Sequence, residues 1–145
     1  MKRSVLKFGG SSVADFIKIK NIAEMLKNRV DDGEQLIVVV SAMGKTTDQL
    51  MDNVSKLTAT PKDEELALLL TTGEQQTVSY LSMVLNDIGV NARAMTGYQA
   101  GIKTIGHHLK SRIAEINPET FDKAFTDKDV LVVALSLIHI SEPTR

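Results

Sequence analysis

The spacing of apolar residues divides the chain into short blocks, some strand-like and others helix-like. Residues 36–40 and 130–134 are unbroken apolar runs rich in valine, typical of strands that are buried on both faces. Residues 5–8 and 92–95 are predicted as two further strands. Between these strands, apolar residues recur every three or four positions. Strands that alternate with helices predict an α/β fold with a mainly parallel sheet.

Four helices are predicted, over residues 15–29, 48–57, 63–86 and 118–125. Gly33 is the expected stop after the first helix. The third helix is expected to break near Thr71–Gly73 and then to bury an apolar face made of Val78, Leu81, Met83 and Leu85. Residues 102–116 have no clear period and are interpreted as irregular or as a hairpin.

Composition and charge narrow the possible classes of protein. The 145 residues suffice for one domain with a core, and 43% hydrophobic with 24% charged residues is ordinary for a globular protein. A net charge of -1 argues against nucleic-acid or membrane partners. The absence of cysteine excludes disulfides and thiolate metal sites. No secretory segment or membrane-length apolar run occurs, so a cytoplasmic location is expected.

The turn after the first predicted strand combines glycines, hydroxyls and a lysine. Lys7, Phe8, Gly9 and Gly10 are followed by two serines, and a helix begins shortly afterwards. Glycines let backbone approach a ligand closely, and free N–H groups at a helix start favour an anion. These features are those of a phosphate-binding loop. The alternative is a simple turn, since the spacing matches neither the Walker nor the dinucleotide pattern.

Two further segments are candidates for the same site. Residues 41–47 follow the second strand and carry the hydroxyls of Ser41 and Thr47, although taken alone this segment favours a solvated turn. Thr72, Gly73 and Glu74 form the other segment. Thr72 could cap the following helix, and Glu74 in its first turn would stabilise that helix by about 0.3–1 kcal/mol. The alternative role for Glu74 is to accept a hydrogen bond from a substrate ammonium group.

Four motifs together resemble the first half of the catalytic domain of the aspartate kinases, in the amino-acid kinase family. They are KFGGSSV at 7–13, VVSAMG at 39–44, TGEQ at 72–75 and TGYQAGI at 96–102. The resemblance covers residues 3–134. It implies a three-layer α/β/α sandwich, truncated after its early strands. It also implies transfer of the ATP γ-phosphate to the side-chain carboxylate of L-aspartate, giving 4-phospho-L-aspartate.

The resemblance also assigns roles to individual residues. Lys7 would contact the transferring phosphoryl group, and backbone N–H groups of Phe8, Gly9 and Gly10 would hold the phosphates. Ser41 and Thr47 would hold aspartate, and Glu74 would pair with its ammonium group. Mg²⁺ would arrive with ATP, no metal site of the protein's own is expected, and the full-length enzyme would be a homo-oligomer. The alternatives are another kinase of the family or a non-catalytic module that binds a phosphorylated metabolite.

The last eleven residues, 135–145, do not continue the family pattern. Their sequence, LSLIHISEPTR, resembles the translation of a transposase sequencing adapter. They are therefore expected to be an assembly artefact that follows a truncated catalytic domain at residues 1–134. A chain of this length is expected to be inactive, because later strands and most of the nucleotide site would be missing.

Overall fold

Four parallel strands form the centre of the molecule. The computed structural model describes residues 2–105 and 112–134. Within them, the chain order is β1 (Lys2–Phe8), α1 (Phe16–Asp31), β2 (Glu34–Val40), α2 (Thr46–Leu57), α3 (Asp63–Asp87), β3 (Ala92–Thr96), β4 (Ile102–Ile105), β5 (Arg112–Ile116), α4 (Pro118–Ala124) and β6 (Val130–Ala134).

The main sheet has the strand order β1-β2-β6-β3, and all of its neighbouring strands are parallel. Phe8 pairs with Val40, Val40 with Ala134, and Thr96 with Ala134. The carboxyl ends of the four strands are therefore level, and the loops that follow them leave from one edge of the sheet. This confirms the predicted α/β class and its parallel sheet.

Helices α1 and α3 cover one face of the sheet, and α4 covers the other. On the first face Leu26 and Leu81 pack against Val38 and other strand residues. On the second face Phe121 and the segment that leads into β4 pack against Val39 and Val133. Burial of these apolar side chains on both faces is the main stabilising term of the fold. The predicted three-layer arrangement is thus present.

Local capping explains where the first helix begins and ends. The Asp15 carboxylate accepts a hydrogen bond from the Lys18 amide at 2.8 Å, as expected of an N-cap residue. At the other end Gly33 has a φ of +95° and donates its amide to the Val30 carbonyl. This conformation favours glycine, so the predicted stop at Gly33 is confirmed.

Helix α3 is one continuous helix of 25 residues, so the predicted break near Thr71–Gly73 is wrong. Thr72 does not cap a helix, because its hydroxyl donates to the Leu69 carbonyl one turn back within α3. Glu74 likewise lies in the helix interior and not in a first turn. Val78, Leu81 and Leu85 are buried as expected, whereas Met83 is 66% exposed and does not belong to that face.

Residues 102–116, for which the sequence predicts either an irregular segment or a hairpin, contain two antiparallel strands, β4 and β5. The hairpin alternative is therefore confirmed for residues 102–105 and 112–116. The intervening residues 106–111 and the tail at 135–145 lie outside the described residues. In the described part of the chain, no helix combines the length and apolar character needed to cross a membrane.

Candidate active site

Two loops meet at the carboxyl edge of the sheet because β1 and β2 are adjacent and in register. The Ser41 amide donates to the Phe8 carbonyl at 3.3 Å, which extends the pairing one step beyond the strands. Further out, the Gly44 amide donates to the Gly10 carbonyl at 3.1 Å. The loop after β1 and the loop after β2 are thus joined by backbone hydrogen bonds. Ligands of open α/β sheets bind at this edge.

The first loop presents one lysine and open backbone. Lys7 is exposed on β1, on the face opposite to Leu6 and Phe8, which pack against the core under α1 and α3. Gly9 begins a turn in which the Ser12 amide donates to the Gly9 carbonyl at 3.0 Å. No atom lies within 4 Å of the position that a Cβ of Gly9 would occupy. The backbone there is accessible to a ligand.

The start of α1 differs from the expected anion site. One of its N–H groups, that of Lys18, already donates to the Asp15 carboxylate. A carboxylate at this position opposes a second anion by charge repulsion. An anion at this loop would therefore be favoured by Lys7 and the glycine backbone rather than by the helix start.

The second loop is short because α2 begins at Thr46, two residues earlier than predicted. Gly44 has a φ of +43°, and a Cβ there would lie 3.2 Å from the Ala14 carbonyl oxygen. Glycine is therefore required at this position both for its conformation and for the close contact. The resulting turn places Ser41 before it and Thr47 after it, in the first turn of α2.

Helix α3 completes a cleft of about 350 Å³ with these two loops. Glu74 enters it from α3, and its Oε1 atom is buried. The lining consists of Gly10, Ser41, Ala42, Gly44, Thr47, Leu70 and Glu74. Four of the predicted site residues are thus brought together: Gly10, Ser41, Thr47 and Glu74. Lys7, Phe8 and Gly9 are not among the residues that line the cleft.

Leu70 is the lining residue that the sequence pattern missed. It lies four residues before Glu74 and so occupies the same face of α3 one turn earlier. Helical spacing would have paired the two residues had the helix been predicted as continuous. The cleft therefore offers a carboxylate, two hydroxyls and one apolar wall, which suits a small zwitterion with an ammonium group near Glu74.

A divalent cation would find few ligands in this part of the protein. Across residues 2–105 and 112–134, no three His, Asp or Glu side chains come together in a group that could hold a metal ion. Magnesium prefers a few carboxylates together with phosphate oxygens and water. A magnesium ion carried by nucleotide phosphates would need few ligands from the protein.

The fold places this cleft at the carboxyl edge of a parallel α/β sheet, and comparison with known proteins gives the family. The model of the amino acid kinase family matches residues 2–145, so the chain belongs to that family. It is 44% identical over 130 residues to an aspartokinase of Bacillus sp. strain MGA3. That alignment covers 90% of this chain and 32% of the relative, so the chain spans about a third of the length of the curated relatives it matches.

Solved structures agree with this assignment. The aspartate kinase of Synechocystis superposes with a TM-score of 0.75 at 36% identity, over 92% of this chain and 22% of that one. Aspartokinase III of E. coli, solved with aspartate and ADP, has a TM-score of 0.71 over 92% of this chain and 40% of that one. Its identity is 16%, so this second likeness supports the fold alone.

Proposed function

We propose that residues 1–134 are the N-terminal part of the catalytic domain of an aspartate kinase. The reaction would transfer the γ-phosphoryl group of ATP to the side-chain carboxylate of L-aspartate. The observation that carries the proposal is the meeting of Ser41, Thr47 and Glu74 in one cleft, directly beside the glycine turn at the end of β1. Family membership and similarity to aspartate kinases support the same activity.

The cleft would hold the acceptor amino acid. Glu74 would accept hydrogen bonds from the ammonium group, and a charged hydrogen bond of this kind contributes about 1.5–3 kcal/mol. Ser41 and Thr47 would donate their hydroxyl protons to carboxylate oxygens. In the solved structure of E. coli aspartokinase III, the same fold accompanies bound aspartate and ADP.

The glycine turn would hold the phosphate side of the reaction. The transfer brings an anionic carboxylate to anionic phosphates, so positioning and charge neutralisation dominate catalysis. Lys7 is exposed at the end of β1 and would place its ammonium group on the transferring phosphoryl oxygens. The backbone at Phe8, Gly9 and Gly10 would donate N–H groups to the phosphates. Magnesium bound to ATP would neutralise further negative charge.

The family resemblance further supports homo-oligomerisation of the full-length protein. The sequence, in which no secretory or membrane-length apolar segment occurs, further supports a cytoplasmic location. Residues 135–145 are further proposed to be a translated sequencing adapter. Sequencing the gene from an independent library across the codon for Ala134 tests that proposal: a glycine-rich continuation supports it, and the same adapter-like codons in an unrelated library contradict it.

An acceptor panel tests the proposed activity. The full-length protein that contains this chain is supplied with ATP, Mg²⁺ and either L-aspartate, L-glutamate, carbamate or UMP, and ADP release is measured. ADP release that depends on L-aspartate is the expected result. Dependence on carbamate or UMP would assign the protein to another kinase of the family, and nucleotide binding without transfer would make it a binding module.

A further inference from the structure

Gly73 lies in the interior of α3, where glycine weakens a helix. Its neighbours give a reason for its presence. A Cβ at this position would lie 3.0 Å from the Ala42 Cβ and 3.2 Å from the Thr46 Cγ2. Both distances are shorter than ordinary carbon contacts. The helix backbone therefore rests directly on the loop after β2 and the start of α2, and a side chain at residue 73 would require these neighbours to shift.

Ala42 cannot simply move away from α3, because it also contacts the loop after β1. A Cβ on Gly10 would lie 3.2 Å from the Ala42 carbonyl oxygen. The backbone hydrogen bond from Gly44 to Gly10 connects the same two loops. Ala42 is 7% exposed, so it is enclosed by these neighbours. A side chain at residue 73 would therefore displace the loop that carries Ser41, the start of α2 that carries Thr47, or the helix that carries Glu74.

The geometry points to Gly73 as a positioning residue for the acceptor amino acid. Its missing side chain sets the distance between the Glu74 carboxylate on α3 and the hydroxyls of Ser41 and Thr47. All three of these groups line the same cleft. Gly73 itself does not line the cleft and acts through these neighbours. This inference rests on the proposed function.

Gly73→Ala in the full-length protein tests the inference. Displacements of less than 1 Å in binding groups have large effects, so we expect the KM for aspartate to rise about tenfold. The KM for ATP should change by less than about twofold, because this substitution lies on the acceptor side. Gln76→Ala, on an exposed position of the same helix, is the matched control and should leave both constants unchanged.

A second substitution distinguishes an effect of the spacing between α3 and the loop after β2 from a general loss of structure. Ala42→Gly removes the Ala42 Cβ, which is the atom nearest to the new Cβ at residue 73. The double variant Ala42→Gly/Gly73→Ala should therefore have a lower KM for aspartate than Gly73→Ala alone. A double variant whose KM for aspartate stays as high as that of Gly73→Ala contradicts the inference. So does a Gly73→Ala variant with an unchanged KM for aspartate. An equal rise of both KM values in Gly73→Ala, together with a lower melting temperature, also contradicts it. If Gly73→Ala alone is insoluble, Gly73→Ala is measured with Thr46→Ser, which relieves one contact. A raised KM for aspartate in that pair supports the inference, and an unchanged one contradicts it.

These outcomes are distinct from a failure of the proposed function. A wild-type full-length protein without aspartate-dependent transfer would contradict the function itself. A wild-type protein that is active with aspartate, together with a Gly73→Ala variant of unchanged KM, would contradict only the positioning role.

Discussion

The backbone amide of Gly44 donates a hydrogen bond to the carbonyl oxygen of Gly10, with 3.1 Å between nitrogen and oxygen. Each glycine follows a different strand of the parallel sheet, so this one bond joins the proposed phosphate side of the site to the proposed acceptor side. The bond depends on close backbone approach at both residues. The following predictions concern the full-length protein.

Gly10→Ala should separate these two loops. The new Cβ would lie 3.2 Å from the Ala42 carbonyl oxygen and 3.7 Å from that of Gly44. Because both loops contribute to the cleft, kcat/KM for aspartate is expected to fall at least about tenfold. Steady-state kinetics measures this ratio, and a value equal to that of the wild type would contradict the role of the contact.

Lys7→Ala should lower kcat much more than it raises the KM for aspartate. Lys7 is proposed to stabilise charge that develops on the transferring phosphoryl group, and loss of one such donor typically costs about a hundredfold in kcat. Lys7 is exposed, so folding should not be affected. Lys20→Ala, an exposed lysine on α1, is the control and should leave kcat unchanged. A pure rise in KM with Lys7→Ala would show a binding role only.

Glu74→Gln should mainly weaken binding of aspartate. The substitution keeps the shape of the side chain and removes its charge. Loss of a charged hydrogen bond corresponds to a rise in the KM for aspartate of about tenfold to a hundredfold. Glu24→Gln changes an exposed glutamate on α1 by the same chemistry and should have no effect. If Glu74→Gln binds aspartate as well as the wild type does, the ammonium partner is another residue.

The strands β1 and β2 and the loops that follow them could be predicted because short stretches of sequence determine them. Runs such as Leu36–Val40 leave little choice but a buried strand, and the chain connects them through helices. The place of the loops at one edge then follows from parallel pairing. The residues of β4 and β5 have weak periodicity, so the sequence does not distinguish a hairpin from an irregular segment there.

The continuity of helix α3 through residues 71–73 could not be predicted from local signals. Two threonines and a glycine at 71–73 have low helix propensity, yet packing against the loop after β2 keeps the helix continuous. Because the sequence predicts a break at residues 71–73, it places Glu74 in a first helical turn. The structure places Glu74 in the interior of a long helix beside the cleft. The prediction that Glu74 lies in the same site as Ser41 and Thr47 came from the family resemblance, because residues so distant in sequence give no local pattern.

The ion pair of Arg29 and Glu34 predicts how stability depends on pH. Two hydrogen bonds from the Arg29 guanidinium, at 2.8 and 2.9 Å, and one from Ser4 lower the pKa of Glu34 from 4.5 to about 2. Because the pKa is lower in the folded state, the stabilisation is present above pH 4.5 and is lost as the pH falls towards 2.

Glu34→Gln should therefore lower the melting temperature at neutral pH, and its difference from the wild type should shrink as the pH falls from 4.5 towards 2. Thermal unfolding at a series of pH values measures this difference. Glu24→Gln should track the wild type throughout. A difference between wild type and Glu34→Gln that stays constant with pH would contradict a contribution from the ionised pair.

Direct detection of the product tests the central proposal, that this chain belongs to an aspartate kinase. The full-length protein is incubated with ATP, Mg²⁺ and L-aspartate in the presence of hydroxylamine, which converts an acyl phosphate to a hydroxamate. The 145-residue chain is the parallel control and should give no product. Aspartyl hydroxamate that forms only with the full-length protein, and only with both ATP and aspartate, is the expected result. ATP binding without hydroxamate, or phosphorylation of a different acceptor, would contradict the proposal.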